Sequence, residues 1–294
     1  MPEPSPLFEE RPLRQGGSLT AEQKADFSSI YTQPDPREYF RVLNRLDYQI
    51  PRQALPIFRA VLAASRHQHG YRTVLDLCCS YGINSALLFS GEDPVAVTAR
   101  YADPGLAAMT TSELAAADRG RYAAGGRDLR VIGLDQSEAA IRYATRAGLL
   151  TAGWPEDLER SAPSPALVAG LADVGLIICT GGVGYVGHRT FGRLLAALPS
   201  PENLWLAVFV LRVFDYTPIA SLLSAYGLVT EKIPGTFRQR RFADSAERDA
   251  CVQDVRLRGL DPSGKEADGW YHAECFLTRP AAASPVPAAT LVKT

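Results

Sequence analysis

The 294-residue chain has no excess of charge of either sign. Lysine plus arginine number 31 and aspartate plus glutamate 32, a formal net charge of −1. That balance gives no bulk attraction to nucleic acid or to an anionic membrane. No apolar stretch approaches the roughly 20 residues a membrane helix needs, and no charged n-region followed by an apolar run opens the chain. Cysteine is sparse: Cys78, Cys79, Cys179, Cys251 and Cys275 make an odd count without metal-ligand spacing. Neighbours in a strand point to opposite faces, which excludes an ordinary disulfide between Cys78 and Cys79. A reducing, cytoplasmic setting is expected. Internal repeats, G-x-G-x-x-G and a P-loop lysine are also missing. His67, His69 and His272 show no ligand or dyad spacing. No metal, nucleic-acid or membrane partner is expected, and the oligomeric state stays open.

What is present suits one large core, with 46% hydrophobic residues. Residues 1–18 and 280–294, rich in proline and small residues, read as flexible tails. Residues 19–70 read as a helical cap. Thr20-Ala21-Glu22-Gln23 can cap a first helix, Asp35-Pro36-Arg37-Glu38 opens a second, and Pro51 opens a third. From Arg72 to about residue 279 the rhythm becomes strand, loop, helix. Thr73–Leu77, Val131–Asp135, Val174–Cys179 and Leu204–Leu211 are apolar runs fit for buried parallel strands. Val252–Leu257 and Tyr271–Leu277 suit a closing antiparallel pair, and the basic run Phe237–Arg241 reads as solvated surface. The expected fold class is α/β, doubly wound and mostly parallel, with helices on both faces.

The most informative segment is Val74-Leu75-Asp76-Leu77-Cys78-Cys79-Ser80-Tyr81-Gly82. A strand ending in an acid runs into a tight loop and a helix, at the sheet edge where doubly wound folds bind ligands. The segment resembles motif I of the class I S-adenosylmethionine-dependent methyltransferase superfamily. That resemblance implies a seven-stranded Rossmann-like sheet and a loop, Asp76 to Gly82, around the methionine part of S-adenosylmethionine. Asp76, Cys78, Cys79, Ser80 and Gly82 are its cofactor candidates. Cys78 and Ser80 stand where glycine is usual, and positive φ at Cys78 would be strained. An ordinary strand-to-helix turn is the alternative.

Val131-Ile132-Gly133-Leu134-Asp135-Gln136-Ser137 resembles motif II, which implies Asp135 as ribose ligand with Gln136 beside it. Helix capping by Asp135 or Ser137 is the alternative, compatible with the first. Asp135 lies much further along than the usual 20 or so residues, so residues 97–128 read as a helical insertion. The competing register makes Val95–Thr98 the second strand, with no acid at its end.

Trp154-Pro155-Glu156-Asp157-Leu158 resembles the third-strand loop beside adenine, making Glu156 and Asp157 candidates; a capped surface turn is the alternative. After Cys179 come Thr180 and Gly181, placed against the cofactor, then Tyr185 and His188, able to orient or deprotonate a nucleophile. The alternative for His188 is a surface residue opening a helix over Arg189–Leu198. This loop lacks the Asn/Asp-Pro-Pro-Tyr run of base-modifying amino methylases. Tyr31, a third catalytic candidate, and Tyr39, a cofactor candidate, share an aromatic helical face with Phe40 and Tyr48. It can close over the site, where tyrosine rings attract a sulfonium cation, or form a plain hydrophobic seam.

The resemblance implies a methyltransferase acting on a small molecule, in secondary metabolism. Two alternatives stand beside it. Ile30–Phe40, taken with Cys78–Gly82, is similar to an offshoot that cyclises S-adenosylmethionine to azetidine-2-carboxylate and methylthioadenosine, with no further partner. The altered loop also suits a non-catalytic module that only binds the cofactor.

Overall fold

The structure, a computed structural model, describes residues 28–70, 72–91, 93–122 and 128–292. The expected tail 1–18 and the cap at Thr20–Gln23 lie outside them. Among the described residues eight strands form one sheet: β1 (Thr73–Leu77), β2 (Arg130–Asp135), β3 (Ala152–Pro155), β4 (Val174–Thr180), β5 (Trp205–Leu211), β6 (Leu228–Lys232), β7 (Phe237–Arg241) and β8 (Trp270–Pro280). The order is β3-β2-β1-β4-β5-β8-β6, with β7 also on β8. The strands from β3 to β5 pair in parallel. β8 runs antiparallel to β5, β6 and β7. One strand is therefore present beyond the seven expected: the basic run Phe237–Arg241 pairs with β8 instead of lying as free surface. Its Arg238 and Arg241 guanidinium groups cover the Trp270 ring at 4.8 and 4.4 Å.

Side chains alternate across the strands, so each face of the sheet has its own core. Among the described residues three helices precede β1: α1 (Ser28–Tyr31), α2 (Arg37–Arg45) and α3 (Ile50–His69). A further helix, α4 (Ile83–Ser90), follows the β1 loop. The expected insertion is helical, made of α5 (Pro94–Ala99), α6 (Pro104–Ala107) and α7 (Thr111–Tyr122). The register that made Val95–Thr98 a strand is thereby replaced, and Asp135 ends β2. After β2 comes α8 (Glu138–Arg146). Val74, Val131, Ile178 and Phe209 pack with Phe58 of α3, Leu87 of α4, Leu114 of α7 and Ile141 of α8. On the other face, Leu75, Ile132, Ile177 and Val208 meet α9 (Pro165–Gly170), α10 (His188–Ala197) and α11 (Thr217–Ala225).

Two further expectations are corrected. Val252–Leu257 is not a strand but part of α12 (Ser245–Leu257). Asp244 caps that helix by accepting from Glu247 N, and Cys251 and Val255, four apart, are its buried face. Residues 280–292 are not a loose tail. They end in α13 (Ala288–Leu291), with Ala288 buried and Leu291 against the core. Buried Arg279 donates to Glu231 and to the Val286 carbonyl, which fastens the segment. Among the described residues no helix is long and apolar enough to cross a membrane.

Candidate active site

The order reverses between β1 and β4, so their carboxyl ends open a crevice, the place where doubly wound sheets take ligands. A cavity of about 520 Å³ occupies it. The β1 loop forms one wall. Cys78 and Ser80 adopt φ of 59° and 49°, and Gly82 adopts 78°. The loop thus takes the left-handed turns of a glycine-rich segment with only one glycine. Such conformations cost of order 1 kcal/mol or more at a non-glycine residue and persist where the surroundings enforce them. The enforcement is visible. Cys78 N donates to Leu134 O at 2.8 Å and Gly82 N to Cys79 O at 2.9 Å. Asp135 accepts from Ser80 N and from Ser137 N, each at 2.9 Å. One carboxylate therefore joins the β1 loop to the β2 loop. At Gly182 a side chain would meet the sulfurs of Cys78 and Cys179, each 2.7 Å from the added carbon, so only glycine lets this backbone cross the two thiols. The hydrogen bond with Cys179, with desolvation, holds the half-buried Cys78 thiol well above its usual range.

Asp76 is wholly buried just behind this wall. Asn84 Nδ2 donates to its Oδ1 at 2.9 Å and to Thr180 Oγ1 at 3.3 Å. The Oδ2 of Asp76 has no partner among the described residues. Burial, opposed by the Asn84 bond and reinforced by Asp135, pushes the Asp76 carboxyl up to about 7. Asp135 is likewise raised by burial, against its backbone donors.

The chain between α1 and α3 covers the crevice. The buried Tyr81 hydroxyl lies 2.9 Å from both Ile30 O and Gln33 O, and Ser137 Oγ donates to Tyr31 O. Arg37 bridges Asp35 to the carbonyls of Leu106 and Met109, at 3.0 and 2.9 Å, in the insertion. Tyr31 and Tyr48 stand at 69° and 89° to Tyr39, with centroids 5.7 and 6.2 Å away. All three line the cavity. Burial keeps the Tyr31 hydroxyl far above its ordinary range and lifts Tyr48 to about 12. Both are neutral donors or acceptors, not bases.

Of the sequence candidates, Tyr31, Tyr39, Cys78, Cys79, Ser80, Asp135, Gln136, Glu156, Thr180, Gly181 and Tyr185 line the cavity together. Tyr185 is at its mouth, 60% exposed. Asp76, Gly82, Asp157 and His188 are not on the wall. Gly82 caps α4. Asp157 accepts from Glu159 N at 2.9 Å, the capped-turn alternative. His188 opens α10, as the surface alternative had it. Glu156, though on the wall, accepts from Ser164 N and Oγ at 2.9 and 2.5 Å. Asn84 and Thr190 are wall residues that sequence reasoning missed. The first is readable in retrospect as the first-turn polar residue after the loop; Thr190 carried no signal.

The strand order decides the architecture. This is the Rossmann-like fold that the class I methyltransferase resemblance implies, with antiparallel β8 set between β5 and β6. No protein-family model and no curated protein matches the chain. Solved structures do. One is a TehB-like SAM-dependent methyltransferase from Corynebacterium glutamicum, 12% identical over 75% of this chain and 87% of that one, TM-score 0.37. Another is the plantazolicin methyltransferase BamL in complex with a triazolic desmethylPZN analog and SAH, 11% identical over 86% and 99%, TM-score 0.41. A third is a SAM dependent methyltransferase from Aquifex aeolicus, 13% identical over 87% and 100%, TM-score 0.39.

Proposed function

We propose that the chain is an S-adenosylmethionine-dependent methyltransferase acting on a small molecule. The observation that carries this reading is the β1 loop. It keeps left-handed backbone at residues 78, 80 and 82 despite two non-glycine side chains, and Asp135 holds it at the mouth of the crevice. Strain of this kind is retained where a ligand needs the backbone close. The residues fit the cofactor. The buried, unpartnered Asp76 oxygen suits its ammonium group, directly or through water. Asp135 retains acceptor capacity for a ribose diol, and Glu156 with Leu158 flanks the adenine end.

The cofactor supplies an electrophilic methyl on a sulfonium. The protein's own share is alignment in a dry enclosure. Gly181 and Gly182 let the β4 loop approach the reacting centre. Tyr31, kept protonated by burial, donates a hydrogen bond and orients an acceptor. Tyr185 is placed to do the same at the entrance, whereas His188, off the wall, would act only after rearrangement. The test is incubation of the purified chain with methyl-labelled S-adenosylmethionine and pooled small metabolites. Label appearing in an acceptor supports the reading; a folded chain that does not bind the cofactor removes it.

One observation favours the cyclising alternative. The segment Ile30–Phe40, which carries that resemblance, roofs the cavity through Tyr31, Thr32 and Tyr39. Methylthioadenosine formed from S-adenosylmethionine alone would select it.

A further inference from the structure

Two thiols meet where β1 and β4 part. Leu77 and Cys179 are register partners, so the β1 loop leaves its strand directly beside Cys179. A side-chain carbon built on Gly182 would lie 2.7 Å from the Cys78 sulfur and 2.7 Å from the Cys179 sulfur. One point is thus in close contact with both, and the two thiols share a hydrogen bond. Cys79 is turned the other way: a carbon built on Gly133, in β2, would meet its sulfur at 2.6 Å. Cys251 and Cys275 are buried in α12 and β8. Of the five cysteines Cys78 alone is partly exposed, and it lines the cavity. The pair therefore joins a sulfur that a small reagent can reach to a second thiol already in place beside it. That is the arrangement in which a first oxidation ends in a disulfide instead of proceeding to the sulfinic acid. Desolvation and the shared hydrogen bond keep the Cys78 thiol protonated, so the dithiol is the resting form and its oxidation is slow.

We infer that Cys78 and Cys179 are a modification site for peroxides, and that the disulfide formed there closes the crevice to its ligand. The Cys78 sulfur attacks one peroxide oxygen and the O–O bond breaks. A sulfenic acid forms on Cys78, and the thiol proton leaves with the other oxygen as water. The Cys179 sulfur then displaces the sulfenic oxygen, which departs with the Cys179 proton as a second water. The two thiols give up two electrons and the peroxide takes them. In a disulfide the sulfurs are about 2 Å apart, so the side chains must draw together. Cys179 is fully buried in a packed strand, which leaves the movement to Cys78. Residue 78 cannot shift alone. Its amide is bonded to Leu134 O, and Ser80 N, two residues on, to Asp135. In the function proposed above, on which the closure rests, this loop holds S-adenosylmethionine.

The test treats the full, reduced chain with hydrogen peroxide, blocks the remaining thiols with iodoacetamide in denaturant, and maps unreduced peptides by mass spectrometry. A cross-linked pair carrying Cys78 and Cys179 is expected, lighter by two hydrogens than its separate peptides and lost on adding dithiothreitol. Fragment spectra separate Cys78 from Cys79. In Cys179→Ala, Cys78 should go on to the sulfinic acid. Calorimetric titration with S-adenosylhomocysteine should show the oxidised chain binding at least about tenfold more weakly than the reduced one, with dithiothreitol restoring the affinity. A wild-type chain that gives sulfinic acid at Cys78, a different thiol pair or no oxidation overturns the site. The cross-link with unchanged affinity overturns the closure and leaves the cofactor reading standing. A reduced, folded chain that binds no S-adenosylhomocysteine removes the cofactor reading and the closure with it, while the peptide map still decides the site. The wild-type map is decisive even where the variant does not fold.

Discussion

Ser80 combines two unfavourable features: a left-handed backbone and a buried hydroxyl without a partner among the described residues. Ser80→Gly removes both. It should raise stability by about 1 kcal/mol, read as a higher denaturant midpoint at unchanged slope. A lower midpoint would mean the hydroxyl is bound by something structural. Asp135 serves the loop as well as the proposed ribose. Asp135→Ala leaves the Ser80 and Ser137 amides unpaired, and bonds to charged groups are worth about 1.5–3 kcal/mol. Affinity for S-adenosylhomocysteine should fall by about one to two decades in calorimetry; undiminished affinity in a folded variant removes Asp135 from the site. Asp76 predicts a pH effect. Its folded carboxyl is raised to about 7, so between the ordinary carboxylate range and that value the folded chain binds more protons than the unfolded one. The stabilisation is fully present at low pH and is lost as pH rises through about 7. The melting temperature of the wild type relative to Asp76→Asn should therefore fall between about pH 5 and pH 8. A constant difference would mean that Asp76 is ionised throughout. Cys78, Ser80 and Asp135 on the cavity wall, and Asp76 behind it, were singled out in the sequence because an acid closing an apolar run is unusual. His188 and Asp157 lie off the wall, and a polar residue in a loop can cap a helix as readily as face a ligand.

The α1–α2 segment is held by contacts between distant parts of the chain, so its closure was invisible to periodicity. Its aromatic face left two readings open, and the structure combines them: Tyr39 is packed against Tyr31, Phe40, Tyr48 and Tyr81, and it borders the cavity together with Tyr31 and Tyr48. Tyr81 is the principal fastening. Tyr81→Phe leaves the Ile30 and Gln33 carbonyls without their donor and should cost about 1–3 kcal/mol in chemical denaturation. It should also speed proteolysis between Tyr31 and Tyr48. In the wild type the same cuts should slow when cofactor is added, and equal rates with and without it would mean the segment does not respond to the site. The helix α12 shows the opposite failure of pattern reading. Val252, Val255 and Leu257 look like an interrupted alternation, but Asp244 with Glu247 is a helix start, and Leu257 is exposed.

Across the whole molecule the parallel strands were readable because buried strands of this kind are continuous apolar runs. β3, β6 and β7 were not. β3 is only four residues long, and β6 and β7 are half polar strands that β8 completes. The C-terminal segment escaped notice because its composition is that of a linker, and its order comes from Arg279 and Glu231, which are 48 positions apart. Ending the chain at Pro280 would strip the Val286 carbonyl from a fully buried guanidinium. It should lower stability by about 1–3 kcal/mol, measurable by thermal melting. An unchanged melting temperature would mean the segment is dispensable.

The roof over the crevice also sets a clock. Tyr81, Ser137 and Arg37 tie it down at three separated points, so lifting it is a concerted event, distinct from entry past the exposed Tyr185. For a ligand that enters beneath the roof, that event does not depend on how much ligand is waiting outside. Observed association rates in stopped flow should therefore level off at high ligand concentration. The plateau should equal the opening rate of the segment and be raised by Tyr81→Phe.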